Sequence, residues 1–366
     1  MKEKRLFGYL KHKDGSPFAG ETLNNWYKAR KYVLDKLKDV AIGPESNEHL
    51  HVVVHGDSDL MLSVVRQVAL SAHYANFDEA TGKNRTVVTL VGNRDDIVQE
   101  LYKEECLCNL LNHCRYTDGG TAMNPVSCIG IDLEFEILKD GWTKGENEIL
   151  VEMKEEEIAQ DEGEVGAIDT SKAVLASRMY NLGSFIDNLP AEDIHCASRY
   201  MMALDVFRHD YLNEPVGPLV DDENEWENNS AKVKEGLSNV FCTDCFESRK
   251  KGIDLYYEAH KKDLTEKEAW ENNNEALSKS EHARWVVEKL IMGFRPLSPE
   301  EHVKDEEKFG DAKKRYRKEL KNNSKDPAHI DLCSCADLRR INPEDLKKDS
   351  FLMLAIPKIL QKLGIK

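Results

Sequence analysis

The sequence predicts an α/β fold in which a parallel-sheet domain is followed by a helical region and then by a mainly helical C-terminal module. Three observations carry this. Short β-branched runs alternate with helical spacing up to about residue 155, the spacing from residue 171 onward is helical, and 366 residues with 40% hydrophobic content fill two or three domains. A formal charge of −16, with 32% charged and 8% aromatic residues, fits a globular chain and excludes fibrous and low-complexity classes.

In chain order, residues 20–40 read as an amphipathic helix, with Leu23, Trp26, Tyr27, Ala29, Val33, Leu34 and Leu37 at three-four spacing, and Gly43-Pro44 breaks the pattern. Residues 50–54 are a β-branched strand, and Leu62, Val65, Val68, Ala69 and Ala72 mark a helix over 60–74. Residues 86–91 form a second strand and 126–131 a third, with 135–138 and 149–153 as extensions. Alternating strands and helices predict a parallel, Rossmann-like sheet. Residues 152–164 hold seven acids and one lysine, a solvated segment that places a boundary near 155. Helical spacing covers 171–212, Pro215, Pro218 and the acidic run 221–227 interrupt it, and a further helix is expected over 231–262. The expected division is 1–48, an N-terminal helical extension; 49–155, the Rossmann-like domain; 156–270, a helical middle region; and 271–366, the C-terminal module.

The turn after the first strand is where such a sheet receives phosphate, because helix N-terminal amides favour an anion. Gly56, Ser58 and, after the second strand, Arg94 are the candidate nucleotide contacts. This turn carries one glycine where the dinucleotide fingerprint has three, and Asp57 and Asp59 oppose a pyrophosphate. The pattern of Gly56 after Val54, with residues 65–74 preceding residues 87–91, resembles the nucleotide-binding domains of potassium-uptake regulators, with a degenerate glycine set.

In the C-terminal module Ser278 and Glu281 fit a capping box, Gly293 ends the following helix, and His282, Trp285 and Lys289 stand at i, i+3 and i+7, on one face. Residues 308–325 hold eight basic and two acidic side chains, a positive island suited to a small anion, while the acidic total discourages DNA or RNA. The pattern Ser280-Glu281-His282-Ala283-Arg284-Trp285, Lys289-Leu290, Gly293-Phe294-Arg295, His329-Ile330-Asp331-Leu332, Lys348-Asp349 and Ala355-Ile356-Pro357 resembles the ryanodine-receptor repeat (RyR) domain over about the last ninety residues. Phe294 stands where that family usually has Trp, and 308–325 includes an insertion. The resemblance implies a mainly α module that senses nucleotide-derived signals in bacterial stress or antiviral pathways. The candidate ligand-binding residues are His282, Arg284, Trp285, Lys289, Phe294, Arg295, Tyr316, His329 and Asp331. Trp285 or Phe294 would stack on a base, Arg284, Lys289 and Arg295 would meet phosphate, and His282 and His329 would bond sugar or phosphate oxygens.

No G-x-S-x-G, HExxH or Walker A element occurs, so the balance favours a non-enzymatic sensor. The alternative is an enzyme acting on a nucleotide: a dinucleotide-dependent oxidoreductase, or a Mg²⁺-dependent nuclease using Asp132, Glu152 and Lys154. Nine cysteines in a large chain, including Cys242-x-x-Cys245, Cys333-x-Cys335 and the Cys106, Cys108, His113, Cys114 group, are expected to be structural thiols without metal. No cofactor is expected beyond the nucleotide ligand. Residues 1–13 are basic with no apolar stretch behind them, and the longest apolar runs, such as 351–356, are too short for a bilayer, so a cytoplasmic location without membrane span is expected. A homo-oligomer is expected too, since Rossmann-like regulatory domains commonly pair.

Overall fold

The computed structural model describes residues 20–103, 105–124, 130–138, 141–159, 241–323 and 325–362. The expected helices over 171–212, the interruptions at Pro215, Pro218 and 221–227, and the first part of the 126–131 strand lie outside the described residues.

Six strands, β1 (His49–His55), β2 (Thr86–Val91), β3 (Arg115–Asp118), β4 (Thr121–Asn124), β5 (Leu133–Leu138) and β6 (Glu148–Lys154), form one sheet in the order β4-β3-β5-β2-β1-β6. Every neighbouring pair is parallel except β3 with β4, a hairpin turned by Gly119 and Gly120 at φ 55° and 79°. Residues 50–54 of β1 are all buried, as expected for a central parallel strand. The strand order reverses beside β1, with β2 on one side and β6 on the other, so a topological switch point lies at the carboxyl end of β1.

The extension expected at 135–138 is β5, Leu133–Leu138: Leu133, Phe135 and Ile137 enter the core while Glu134 and Glu136 stay half-buried on the other face. Of the strand expected over 126–131, the described residues 130 and 131 are not in a strand. Alternation marks a strand with one wet face.

Among the described residues five helices accompany the sheet: α1 (Gly20–Leu37), α2 (Asp59–Ser71), α3 (Arg94–Lys103), α4 (Glu105–Leu111) and α5 (Glu155–Ala159). The apolar stripe of α1 is used within the chain: Ala29, Val33 and Leu37 join the same core as β1 and α2.

The remaining helices are α6 (Phe246–His260), α7 (Glu266–Asn272), α8 (Asn274–Ile291), α9 (Pro299–Glu306), α10 (Gly310–Lys321), α11 (Cys335–Ile341) and α12 (Pro343–Lys362). A second core gathers Phe246, Ile253, Trp270 and Leu277 against Leu352, Met353, Ile356 and Ile359 of α12, so residues 241–270 pack with the C-terminal module. That module is also continuous with the sheet domain, because Val286, Val287, Leu290, Ile291 and Phe294 enter the first core. Asn109 of α4 fastens the joint, donating from Nδ2 to the carbonyls of Leu290 at 2.7 Å and Phe294 at 2.8 Å, on either side of the turn that ends α8. Among the described residues no helix is long and apolar enough to cross a membrane.

The expected capping box at Ser278 and Glu281 is corrected. Helix α8 starts four residues earlier, and Ser278 bonds back to the Asn274 carbonyl at 2.6 Å, the habit of a serine inside a helix. True boxes stand at Thr265 with Glu268 and at Ser298 with Glu301. Gly293 ends α8 as expected, at φ 80°.

Candidate functional site

Helix α8 carries two charged stripes one residue apart in register. Glu281, Arg284 and Glu288 stand at i, i+3 and i+7, and so do His282, Trp285 and Lys289. One residue is about 100° of helical rotation, so the stripes face different surroundings.

The first stripe is buried. Arg284 is 1% exposed and donates from Nε and Nη2 to Glu281 at 2.8–3.0 Å and from Nη1 to Glu288 at 2.7 Å. Arg249 of α6 adds a 2.9 Å bond to Glu281. Burial alone would raise the Glu281 carboxyl, but Arg284 and Arg249 hold it down to about 2. Arg284 therefore does not reach a ligand phosphate: its charge is satisfied inside the fold.

The second stripe forms the candidate site. Trp285 is half-buried, with the His282 ring stacked at 6.1 Å between centroids and the Lys289 Nζ 5.4 Å from the indole centroid. Past Gly293 the chain turns back, and a short parallel bridge joins Arg295 to the segment 327–329. Arg295 N donates to the Pro327 carbonyl and His329 N to the Arg295 carbonyl, each at 3.0 Å. This bridge sets the His329 ring edge-on to Trp285 at 4.9 Å and to Phe294 at 6.2 Å. The structure thus brings together His282, Trp285, Lys289, Phe294 and His329.

The protonation of these rings follows from their bonds. His282 is held neutral by burial and donates from Nε2 to the Cys333 carbonyl at 2.9 Å. His329 accepts the Asp331 amide at Nδ1, and burial, helped by Lys321 and Lys289, pushes its pKa down to about 3. The proton of the neutral ring then sits on Nε2. Neither that N–H nor the Trp285 indole N–H bonds another described residue. Lys289 is kept beside the ring by a 2.6 Å bond to Glu288, which also anchors Arg284. Two uncommitted N–H donors and an ammonium around a half-buried aromatic face suit an anion attached to a flat ring.

The remaining predicted residues sit elsewhere. Arg295 turns away from Trp285 and is bidentate to Glu301 at 2.7 and 3.0 Å, with Asp326 at 2.8 Å, so its phosphate role is corrected. Tyr316 lies on α10 beneath the Lys308 ammonium, 4.9 Å from the ring centroid, near the Arg295–Glu301 pair. Asp331 is buried under the site; it accepts from Asn342 Nδ2 at 3.2 Å and shares a proton with Asp345, and burial followed by that partner raises it to about 7. The basic run becomes α10, whose inner side places Arg317 on the buried Asp305 at 2.7 Å while Lys314, Arg315, Lys318 and Lys321 face solvent. Helix α9, carrying Asp305, was not singled out by the sequence pattern, yet it is what orients α10.

The crevice beside β1 holds a side chain where phosphate was expected. Glu155, at the start of α5, accepts from the amides of Asp57 at 3.2 Å and Ser58 at 3.3 Å and from the Ser58 hydroxyl. Gly56 has φ 148°, and a Cβ there would run into the Glu155 carboxylate. The α2 N-terminus is thus capped internally, with Ser58 also accepting from Leu60 N at 3.1 Å. Arg94 is bidentate to Asp118 at 2.7 Å on both arms. All three candidate cofactor contacts are engaged within the fold. Replacing Glu155 with Ala is expected to cost about 1–2 kcal/mol in urea unfolding, since it strips a cap from α2 and separates α5 from the turn; an unchanged midpoint would refute that role.

The nuclease set does not assemble. Asp132 is buried against His73 at 2.8 Å near the amino end of β2, where its carbonyl accepts Thr86 N. Glu152 and Lys154 are on β6, toward its carboxyl end and three strands from β5, which Asp132 directly precedes. Cys242, Cys245, Cys333 and Cys335 are buried, and burial raises all four thiols, Cys245 and Cys333 to about 12, so they stay protonated. The side chain of Cys106 lies outside the described residues; Cys108 bonds the Leu101 carbonyl and Cys114 is buried.

Arg317 and Lys321 were marked as members of the basic run 308–325, whereas Glu288, Asn342 and Asp345 were not singled out. Of these three Glu288 left a signal, the acid–base–acid spacing with Glu281 and Arg284. No protein-family model matches the chain, and no curated protein or solved structure matches it.

Proposed function

We propose that the C-terminal module is an RyR-type sensor that binds a small phosphorylated, nucleotide-derived ligand against Trp285. The observation that carries this reading is the half-buried indole flanked by His282 and His329 with the Lys289 ammonium near its face. A base would lie on the exposed part of the indole, a contact worth about 1–3 kcal/mol, and His329 Nε2–H with Lys289 and Lys321 would meet the phosphate. The solvent face of α10 would add a local positive field to a chain of net charge −16, drawing in a small anion without holding a polyanion. The sensor would act as a cytoplasmic homo-oligomer in bacterial stress or antiviral signalling, the α/β body relaying occupancy through the α8 joint.

A thermal-shift panel of NAD, ADP-ribose, ATP and cyclic oligonucleotides tests this. At least one is expected to raise the midpoint of the wild type, and Trp285→Ala to weaken it by about 5- to 150-fold. Stabilisation of equal size in Trp285→Ala would overturn the site.

A further inference from the structure

Between α6 and α8, Arg284 has Glu281 and Glu288 as partners, while Arg249 has Glu281. Arg249 is 3% exposed, Nη1 is bonded to Glu281, and Nε and Nη2 have no acceptor among the described residues.

Those two groups form one edge of the guanidinium, a fork of parallel N–H donors that fits a single acceptor. Arg249 lines a small cavity together with Tyr74, Ser248, Gly252 and Leu277. The cavity measures about 10 Å³, room for one water molecule or one monatomic ion. The Tyr74 hydroxyl is also buried without a partner. Other polar groups of the lining are already used: His73 bonds Asp132 and the Ala69 carbonyl, and Ser248 donates to the Cys245 carbonyl. The orphans are therefore guanidinium donors and a hydroxyl able to donate. An acceptor-only body can take a hydrogen bond from all three and places a negative charge against the open edge of the Arg249 guanidinium.

We propose that this cavity is a binding site for a small monovalent anion of the halide class, gripped by Arg249 Nε and Nη2 and by the Tyr74 hydroxyl. The site stands apart from Trp285 and joins the loop after α2 to α6. Its occupant stabilises the contact between the sheet domain and the C-terminal helices.

Thermal unfolding of the full chain in sodium chloride and in sodium gluconate at equal ionic strength tests it. Chloride is expected to give a saturable rise of roughly 2–4 °C over gluconate, bromide to substitute for chloride, and Arg249→Lys to lose the difference. Equal midpoints in both salts for the wild type would overturn the proposal. Should Arg249→Lys fail to fold, bromide-soaked crystals of the wild type decide the matter: an anomalous peak within hydrogen-bond reach of Arg249 Nε and Nη2 supports the site, and a water there without anomalous signal refutes it.

Discussion

Glu281→Ala is expected to remove about 3–5 kcal/mol of stability, the largest loss from any single truncation considered for this chain. The carboxylate accepts from two guanidiniums, Arg249 at 2.9 Å and Arg284 at 2.8–3.0 Å, and all three groups are buried. Its removal strips Arg249 of its carboxylate and leaves Arg284 with Glu288, and water cannot follow without opening the α6–α8 packing. The loss is a large share of the roughly 5–15 kcal/mol that holds a typical domain folded. A control separates burial from hydrogen bonding. Glu268→Ala breaks an exposed capping box at Thr265 and is expected to cost only about 1 kcal/mol. Urea unfolding with an unchanged slope measures both, and a Glu281→Ala loss below that of Glu268→Ala would show that the buried network is not what holds these helices together.

The second large effect is a pH dependence built into the floor of the site. Asp331 and Asp345 share a proton, and burial raises Asp331 from the ordinary 3.8 to about 7. Between those values the folded chain keeps a proton that the unfolded chain releases. The stabilisation is complete below about pH 4, declines as the pH rises, and is gone above about pH 7. The interval is worth about 4 kcal/mol at most, at about 1.4 kcal/mol for each tenfold change in acidity. Asp331→Asn keeps a donor toward Asp345 and removes the titration. The difference in stability between wild type and variant is therefore expected to shrink from pH 4 to pH 8; a constant difference would show that Asp331 is ionised throughout.

Both effects belong to residues whose roles were only partly legible in the sequence. Strands β1 and β2 and helices α1 and α2 lie where apolar periodicity places them, because their apolar residues enter one core. Strand β5 was legible at 135–138, and the alternation of Leu133, Phe135 and Ile137 carries it two residues further back. In the C-terminal module the face of His282, Trp285 and Lys289 was readable from spacing alone, since i, i+3, i+7 holds whatever the helix packs against. The fate of Arg284 was not, because a cation near an aromatic reads as ligand-facing until the neighbouring stripe is counted. Glu281 and Glu288 at matching spacing were the available sign that Arg284 is neutralised internally. The role of Glu155 had no local signature: it caps a turn nearly a hundred residues earlier, a relation that only the β1–β6 pairing creates.

The most direct test of the ligand site is the indole N–H spectrum of the ¹⁵N-labelled chain, with the Trp285 signal assigned by its loss in Trp285→Phe. Addition of the panel compound that stabilises the protein is predicted to move or broaden the Trp285 signal and to leave that of Trp270, buried in the second core, in place. A bound compound that leaves the Trp285 signal unmoved would contradict the account.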